Sequence, residues 1–237
     1  MKIDKFISAT FFVLLLTTTS SGQIILWDQQ PDTSLQRTIN QDIPDLPIFS
    51  TYLVNDVSLS TDAIIDEVTS YYTNSSGTWE SGVTQGILHI FDGDALTAAD
   101  DPTTGGDFGA GLINVTVTDI GNNTLAITAN NLNLNLSAGT YWFGLTAVAS
   151  SSLQQEFHYS AGSQVGQETQ FRNPEGGFGL GTDWGNASVL GPDFLDASLT
   201  ICGEDLAGGS CSVPEPSSAI LVTTLAAGLG LRRKRMN

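Results

Sequence analysis

Leucine alternates with asparagine through Leu132-Asn133-Leu134-Asn135-Leu136, and Ile113-Asn114-Val115-Thr116-Val117-Thr118 repeats the same two-residue period. Successive side chains of a strand point to opposite faces, so this period predicts strands with one buried and one wet face. Strand-like runs recur at 24–27, 48–57, 63–72, 86–91, 112–118, 124–129, 132–136, 140–147, 156–160, 169–172 and 194–202, separated by clusters of Gly, Asn, Asp and Ser. No strong amphipathic helix interrupts residues 23–203. Short strands with Gly-rich turns predict an all-β domain, an antiparallel β-sandwich of jelly-roll type, with a closed barrel as the alternative. Leu132, Leu134, Leu136, Tyr141 and Phe143 are expected to face inward, and Trp142 to pack in the core or between sheets.

Both ends depart from this pattern. Residues 1–22 carry Lys2 and Lys5, then an apolar run at 6–16, then small residues with Ser20 and Gly22 at plausible −3 and −1 positions. This predicts a helical secretory signal peptide, and the run is short of the roughly 20 residues that a membrane anchor, the alternative, would need. Residues 213–237 begin with Val213-Pro214-Glu215-Pro216. An apolar, small-residue-rich helix is expected at 219–231, followed by Arg232, Arg233, Lys234 and Arg235. A Pro-x-Pro segment refuses helix, and a basic cluster after an apolar helix holds that end in the cytoplasm, so the domain before it lies outside. The organisation expected is a signal peptide (1–22), an ectodomain (23–212) and a C-terminal segment (213–237).

That C-terminal segment resembles the PEP-CTERM sorting signal in all three elements and in their order. The resemblance implies recognition of Pro214, Glu215 and Pro216 by a membrane transpeptidase of the exosortase type. It implies transient residence in the inner membrane, cutting near the motif, and release to the cell surface or extracellular matrix, often beside exopolysaccharide. A plain C-terminal anchor is the alternative. Residues 136–145 and 174–184 resemble the β-sandwich ectodomains common among such exported proteins, a resemblance that implies fold only.

Charge narrows the partners. Of 25 acidic residues only Asp4 and Glu215 fall outside the ectodomain, and of eight basic residues only Arg37 and Arg172 fall inside it. The surface therefore repels nucleic acid and anionic lipid and favours cations or neutral partners; plain solubility is the simpler reading. Cys202 and Cys211 are the two cysteines. Export makes a disulfide between them the expected state, worth about 3 kcal/mol for a loop of this size, against a two-cysteine metal site as the rival.

No catalytic constellation emerges. Gly-x-Ser-x-Gly and His-Glu-x-x-His are both missing, and the histidines are His89 and His158. His89 shares a face with Ile87 and Phe91 and reads as a packed or edge residue. His158 is expected on the wet face if Phe157 and Tyr159 are buried. Asp92, Asp94, Asp100 and Asp101, with Asp107 beyond, could offer hard oxygen ligands to calcium, although Leu96 breaks the EF-hand pattern; a solvated acidic hairpin loop is the alternative. Trp79 and Trp184 sit among small polar residues, where a loop indole can stack on a sugar ring or simply plug a sandwich end. Three functions stay open: a non-enzymatic surface or matrix protein, a carbohydrate-binding module with calcium as a candidate cofactor, and a glycan hydrolase with an unrecognised carboxylate pair.

Overall fold

The computed structural model describes residues 23–191, 194 and 196–206. The expected signal peptide, Cys211, Pro214-Glu215-Pro216, the 219–231 stretch and Arg232, Arg233, Lys234 and Arg235 lie outside the described residues. Within them the apolar runs form strands and the Gly/Asn/Asp clusters form turns. In chain order these are β1 (Ile24–Gln29), β2 (Arg37–Thr38), β3 (Gln41–Asp42), β4 (Tyr52–Leu59), β5 (Ala63–Thr73), β6 (Gln85–Asp92), β7 (Gly111–Asn114) and β8 (Thr116–Gly121). There follow β9 (Thr124–Ala129), β10 (Leu134–Leu136), β11 (Gly139–Val148), β12 (His158–Tyr159), β13 (Gln170–Arg172), β14 (Gly185–Asn186) and β15 (Leu199–Asp205). One helical turn, α1 (Trp79–Gly82), and two 3-10 turns complete them. Among the described residues no helix is long and apolar enough to cross a membrane.

The strands make two predominantly antiparallel sheets. In the first, β5 pairs with β15 on one flank, with β1 beyond it, and with β10 and β9 on the other flank, with β8 beyond β9. The short strands β12 and β2 extend the β15 flank. The second sheet runs β14-β13-β4-β11-β6-β7, and β3 lies parallel to the end of β11. The run expected at 112–118 is divided between the sheets. β7 pairs with β6, β8 pairs with β9, and Val115 at the corner packs against the apolar clusters on both sides.

The main core lies between the sheets. Val57, Leu88, Ile90, Phe143 and Leu145 of the second meet Ile65, Val68, Ala129, Leu199 and Ile201 of the first. Each fully buried side chain of this size contributes about 1.5–3 kcal/mol. Leu136, Tyr141 and Phe143 belong to this core, and Leu132 and Leu134 pack against it. The intervening Asn131, Asn133 and Asn135 are exposed, as the alternation predicts. A bulge at Asp66, which lets Ile65 face Gly203 and Glu67 face Cys202, keeps Ile65 and Val68 on the same face.

Two expectations need correction, and a third is narrowed to one of its alternatives. The run at 48–57 does not begin as strand, because Pro47 opens a 3-10 turn over Pro47–Phe49 and β4 starts only at Tyr52. Trp142 is buried in an apolar cluster, as expected, but on the outer face of the second sheet rather than between the sheets, opposite in parity to inward Phe143. There it forms a separate apolar layer with Val54 and Phe91, covered by Leu96 and Trp184. His158 is 1% exposed rather than wet, its ring 4.8 Å from that of Tyr72, while Phe157 is the exposed neighbour. Phe157 precedes β12, and Tyr159 is covered on the other face by Arg37, so the inward position falls to the histidine.

Candidate functional site: the acidic loop and a buried carboxylate pair

β6 ends at Asp92 and releases an acidic loop onto the outer layer of the second sheet. Its carboxylates largely cap its own turns. Asp92 accepts from Gly93 N–H at 2.7 Å, Asp100 from Thr97 N–H at 2.6 Å, and Asp101 from Thr103 N–H at 2.9 Å. Asp107 reaches back to the Asp92 amide at 3.1 Å. Asp92, Asp94, Asp100 and Asp107 line a surface pocket of about 510 Å³ with Leu96 and Phe108, whereas Asp101 is not part of its lining. The four residues expected around calcium are therefore not brought together as one set. Among the described residues no three His, Cys, Asp or Glu side chains are grouped to hold a metal.

The loop is pinned by its carbonyls. Trp142 donates its indole N–H to Asp94 O at 3.0 Å and Trp184 donates to Asp100 O at 2.8 Å. Arg172 donates to Asp100 O at 2.7 Å, to Ala98 O at 3.0 Å and to Thr182 O at 2.9 Å, with its guanidinium over the Trp184 ring. Trp184, packed edge-on against Phe91, is half-buried in this clamp. Trp79 is at the other end of β11. It is fully buried, donates to Gln154 O at 2.8 Å and packs with Tyr72, Leu125 and Ala147. Of the two roles expected for it, sugar platform or plug, this indole takes the second, and the two tryptophans share no surface.

Both histidines are interior. The His89 ring lies across Gly144 of β11, and its Nε2–H donates to Leu53 O on β4 at 3.3 Å. Burial lowers its pKa to about 4, against a small opposite pull from the Leu53 carbonyl. Burial lowers that of His158 to about 3. Cys202 sits half-buried on β15 beside β1 and β5; burial first, then the charges of Glu67 and Asp28, raise its thiol.

Three buried acids escaped the sequence reading. Glu156 is fully buried and accepts from Thr73 Oγ1 and from the amides and hydroxyls of Ser75 and Ser76. Burial would raise its carboxyl, but these bonds outweigh burial and hold it below the usual range. Asp56 and Asp196 are 7% and 1% exposed and both are raised, by burial foremost, with the Asp56 charge adding to the rise at Asp196. They border a polar network in which Asn55 bonds Thr169, Gln29 and the Ala197 backbone. The available signal was an acid inside an apolar run, as in Val54-Asn55-Asp56-Val57 and Phe194-Leu195-Asp196-Ala197.

No family model, curated protein or solved structure matches the chain.

Proposed function

We propose that the chain is an exported, non-enzymatic protein of the cell surface or extracellular matrix, sorted by its C-terminal segment and associated with exopolysaccharide. In this reading residues 1–22 direct export. Pro214, Glu215 and Pro216 are recognised by an exosortase-type transpeptidase, and Arg232, Arg233, Lys234 and Arg235 hold the tail at the inner membrane until it is cut. The ectodomain is a sandwich of jelly-roll type. One observation carries the non-enzymatic part: the chemistry-bearing side chains are committed to holding the fold. His89 and His158 are buried and neutral near pH 7, Trp79 is a core plug, and Asp92, Asp100, Asp101 and Glu156 cap backbone turns.

A second reading, carbohydrate binding, is favoured by the 510 Å³ pocket, where Phe108 offers an apolar face beside carboxylates able to accept sugar hydroxyls. The sorting reading is tested by replacing Pro214 and Glu215 with alanine. Export should continue while the full-length chain accumulates in the inner membrane, measured as chain mass in each fraction. Wild-type protein recovered from the cell surface and still ending at Asn237 would show that the segment is a plain anchor.

A further inference from the structure

Asp56, on β4, and Asp196, on the approach to β15, lie beneath a strap formed by residues 163–167. The strap holds one carboxylate with each of two alternate amides. Val165 N–H donates to Asp196 Oδ2 at 2.6 Å, and Gln167 N–H donates to Asp56 Oδ2 at 2.9 Å. Gly166 between them has φ +79, and a Cβ there would fall 2.2 Å from Asp56 Oδ2, so the strap lies directly on the carboxylate. Gln29 Nε2 also donates to Asp196 Oδ2, at 2.7 Å. The other oxygen of each acid, Asp56 Oδ1 and Asp196 Oδ1, is buried and has no well-formed hydrogen bond among the described residues, the Thr169 backbone lending Asp196 only a minor pull.

Two buried carboxylates that share a strap, each with an oxygen outside it, need either a proton or a nearby positive charge to offset their burial. A charged group stripped of water without replacement is penalised more heavily than a neutral one. The ectodomain's arginines do not supply that charge. Arg37 lies over Tyr159, and Arg172 is bound to the carbonyls of Ala98, Asp100 and Thr182. A calcium-class ion takes such oxygens singly or in pairs and tolerates a shell completed by carbonyls and water. We propose that Asp56 Oδ1 and Asp196 Oδ1 bind one calcium-class divalent cation under the 163–167 strap, and that the cation locks the strap to the sandwich. The site is distinct from the acidic loop, where Asp101 is exposed, Asp100 is partly exposed, and both cap their own turns.

The test uses the full-length chain in detergent, chelator-treated and then titrated with calcium chloride. At calcium about 100-fold above Kd, the unfolding midpoint should rise by roughly 5 °C. The rise should vanish in Asp56→Asn/Asp196→Asn and persist in Asp94→Asn/Asp100→Asn. Wild-type amide exchange gives a second readout that does not depend on the variants folding: calcium should slow exchange at Val165 and Gln167, not at Thr97 or Thr103. The proposal is overturned if calcium changes neither midpoint nor exchange, which would leave a proton as the compensating charge. It is equally overturned if protection appears at Thr97 and Thr103, or if the midpoint shift survives in the Asp56/Asp196 variant.

Discussion

Replacing His158 with phenylalanine should make the protein less sensitive to acid, and the size of the effect follows from where the ring sits. Its folded pKa is lowered to about 3 from an ordinary 6.5, so below pH 6.5 the unfolded chain takes up a proton that the folded chain refuses. For a lowered histidine, stability is fully present above the unfolded pKa and is lost as pH falls toward the folded one. Between pH 8 and pH 5 that single linkage removes roughly 2 kcal/mol. His89, at about 4, loses a similar amount over the same window, again roughly 2 kcal/mol. Asp56 and Asp196 act in the opposite sense, since raised carboxyls stabilise at low pH and lose that contribution as pH rises. They are common to wild type and His158→Phe, so the difference between the two isolates His158. Among the described residues neither ring nitrogen of His158 has a well-formed hydrogen bond, the Ser198 backbone exerting only a pull too small to offset burial, and the ring packs against Tyr72, so phenylalanine should be neutral within about 1 kcal/mol at pH 8. Urea unfolding of both proteins at pH 8 and pH 5 measures the gap. The variant should gain about 2 kcal/mol relative to wild type on acidification. A gap that does not change between the two pH values would refute the linkage.

Gly144→Ala should cost about 3 kcal/mol or more, measured by urea unfolding, because the new Cβ would fall 2.2 Å from both His89 Nε2 and the Leu53 carbonyl in the middle of the second sheet. A loss under about 1 kcal/mol would mean that the ring can leave β11 freely. Arg172→Ala should open the acidic loop locally, with faster amide exchange over residues 93–104, a red-shifted Trp184 emission and a global loss of about 2 kcal/mol. Unchanged exchange would show that the indole bonds of Trp142 and Trp184 suffice alone. Protein from the envelope should show a closed Cys202–Cys211 bridge, read as no alkylation before reduction; two alkylated thiols would refute it.

The fold was legible where burial is local and periodic. Leu132, Leu134 and Leu136 face in and their asparagines face out because an antiparallel strand with one covered face imposes that pattern. Reading failed where a neighbour distant in sequence decides the environment. The outer layer of Val54, Phe91, Trp142 and Trp184 exists only because two loops fold back over the sheet, so β4 reads as buried on both faces. Trp79 follows Ser75, Ser76, Gly77 and Thr78, which looks like a surface loop, yet its indole turns inward toward Tyr72 and Gln154. The division at Val115 is a fact of pairing, since both halves alternate alike and only their partners differ. Of the candidate site, the loop's position and turn-forming carboxylates were visible; the Asp56–Asp196 pair was not, because the strap contacts two residues far apart in the chain.

An acidic surface with two arginines forces a particular chemistry on the folded chain. Carboxylates without side-chain cations can be satisfied by water, backbone N–H groups and hydroxyls, and several of the described acids use the last two. Asp32, Asp45, Asp101 and Glu156 each accept from serine or threonine and from a main-chain amide. Hydrogen bonding to the ionised form lowers a carboxyl pKa, and Asp32, Asp45 and Glu156 are all lowered. The arginines are used where no carboxylate is involved, Arg37 over an aromatic ring and Arg172 on three carbonyls. Against those acids Asp56 and Asp196 stand apart: their carboxyls are raised, and each has one buried oxygen without a well-formed hydrogen bond among the described residues. In a domain without lysine and with both arginines bound elsewhere, that pair of oxygens is where the proposed cation would offset charge that no side chain offsets.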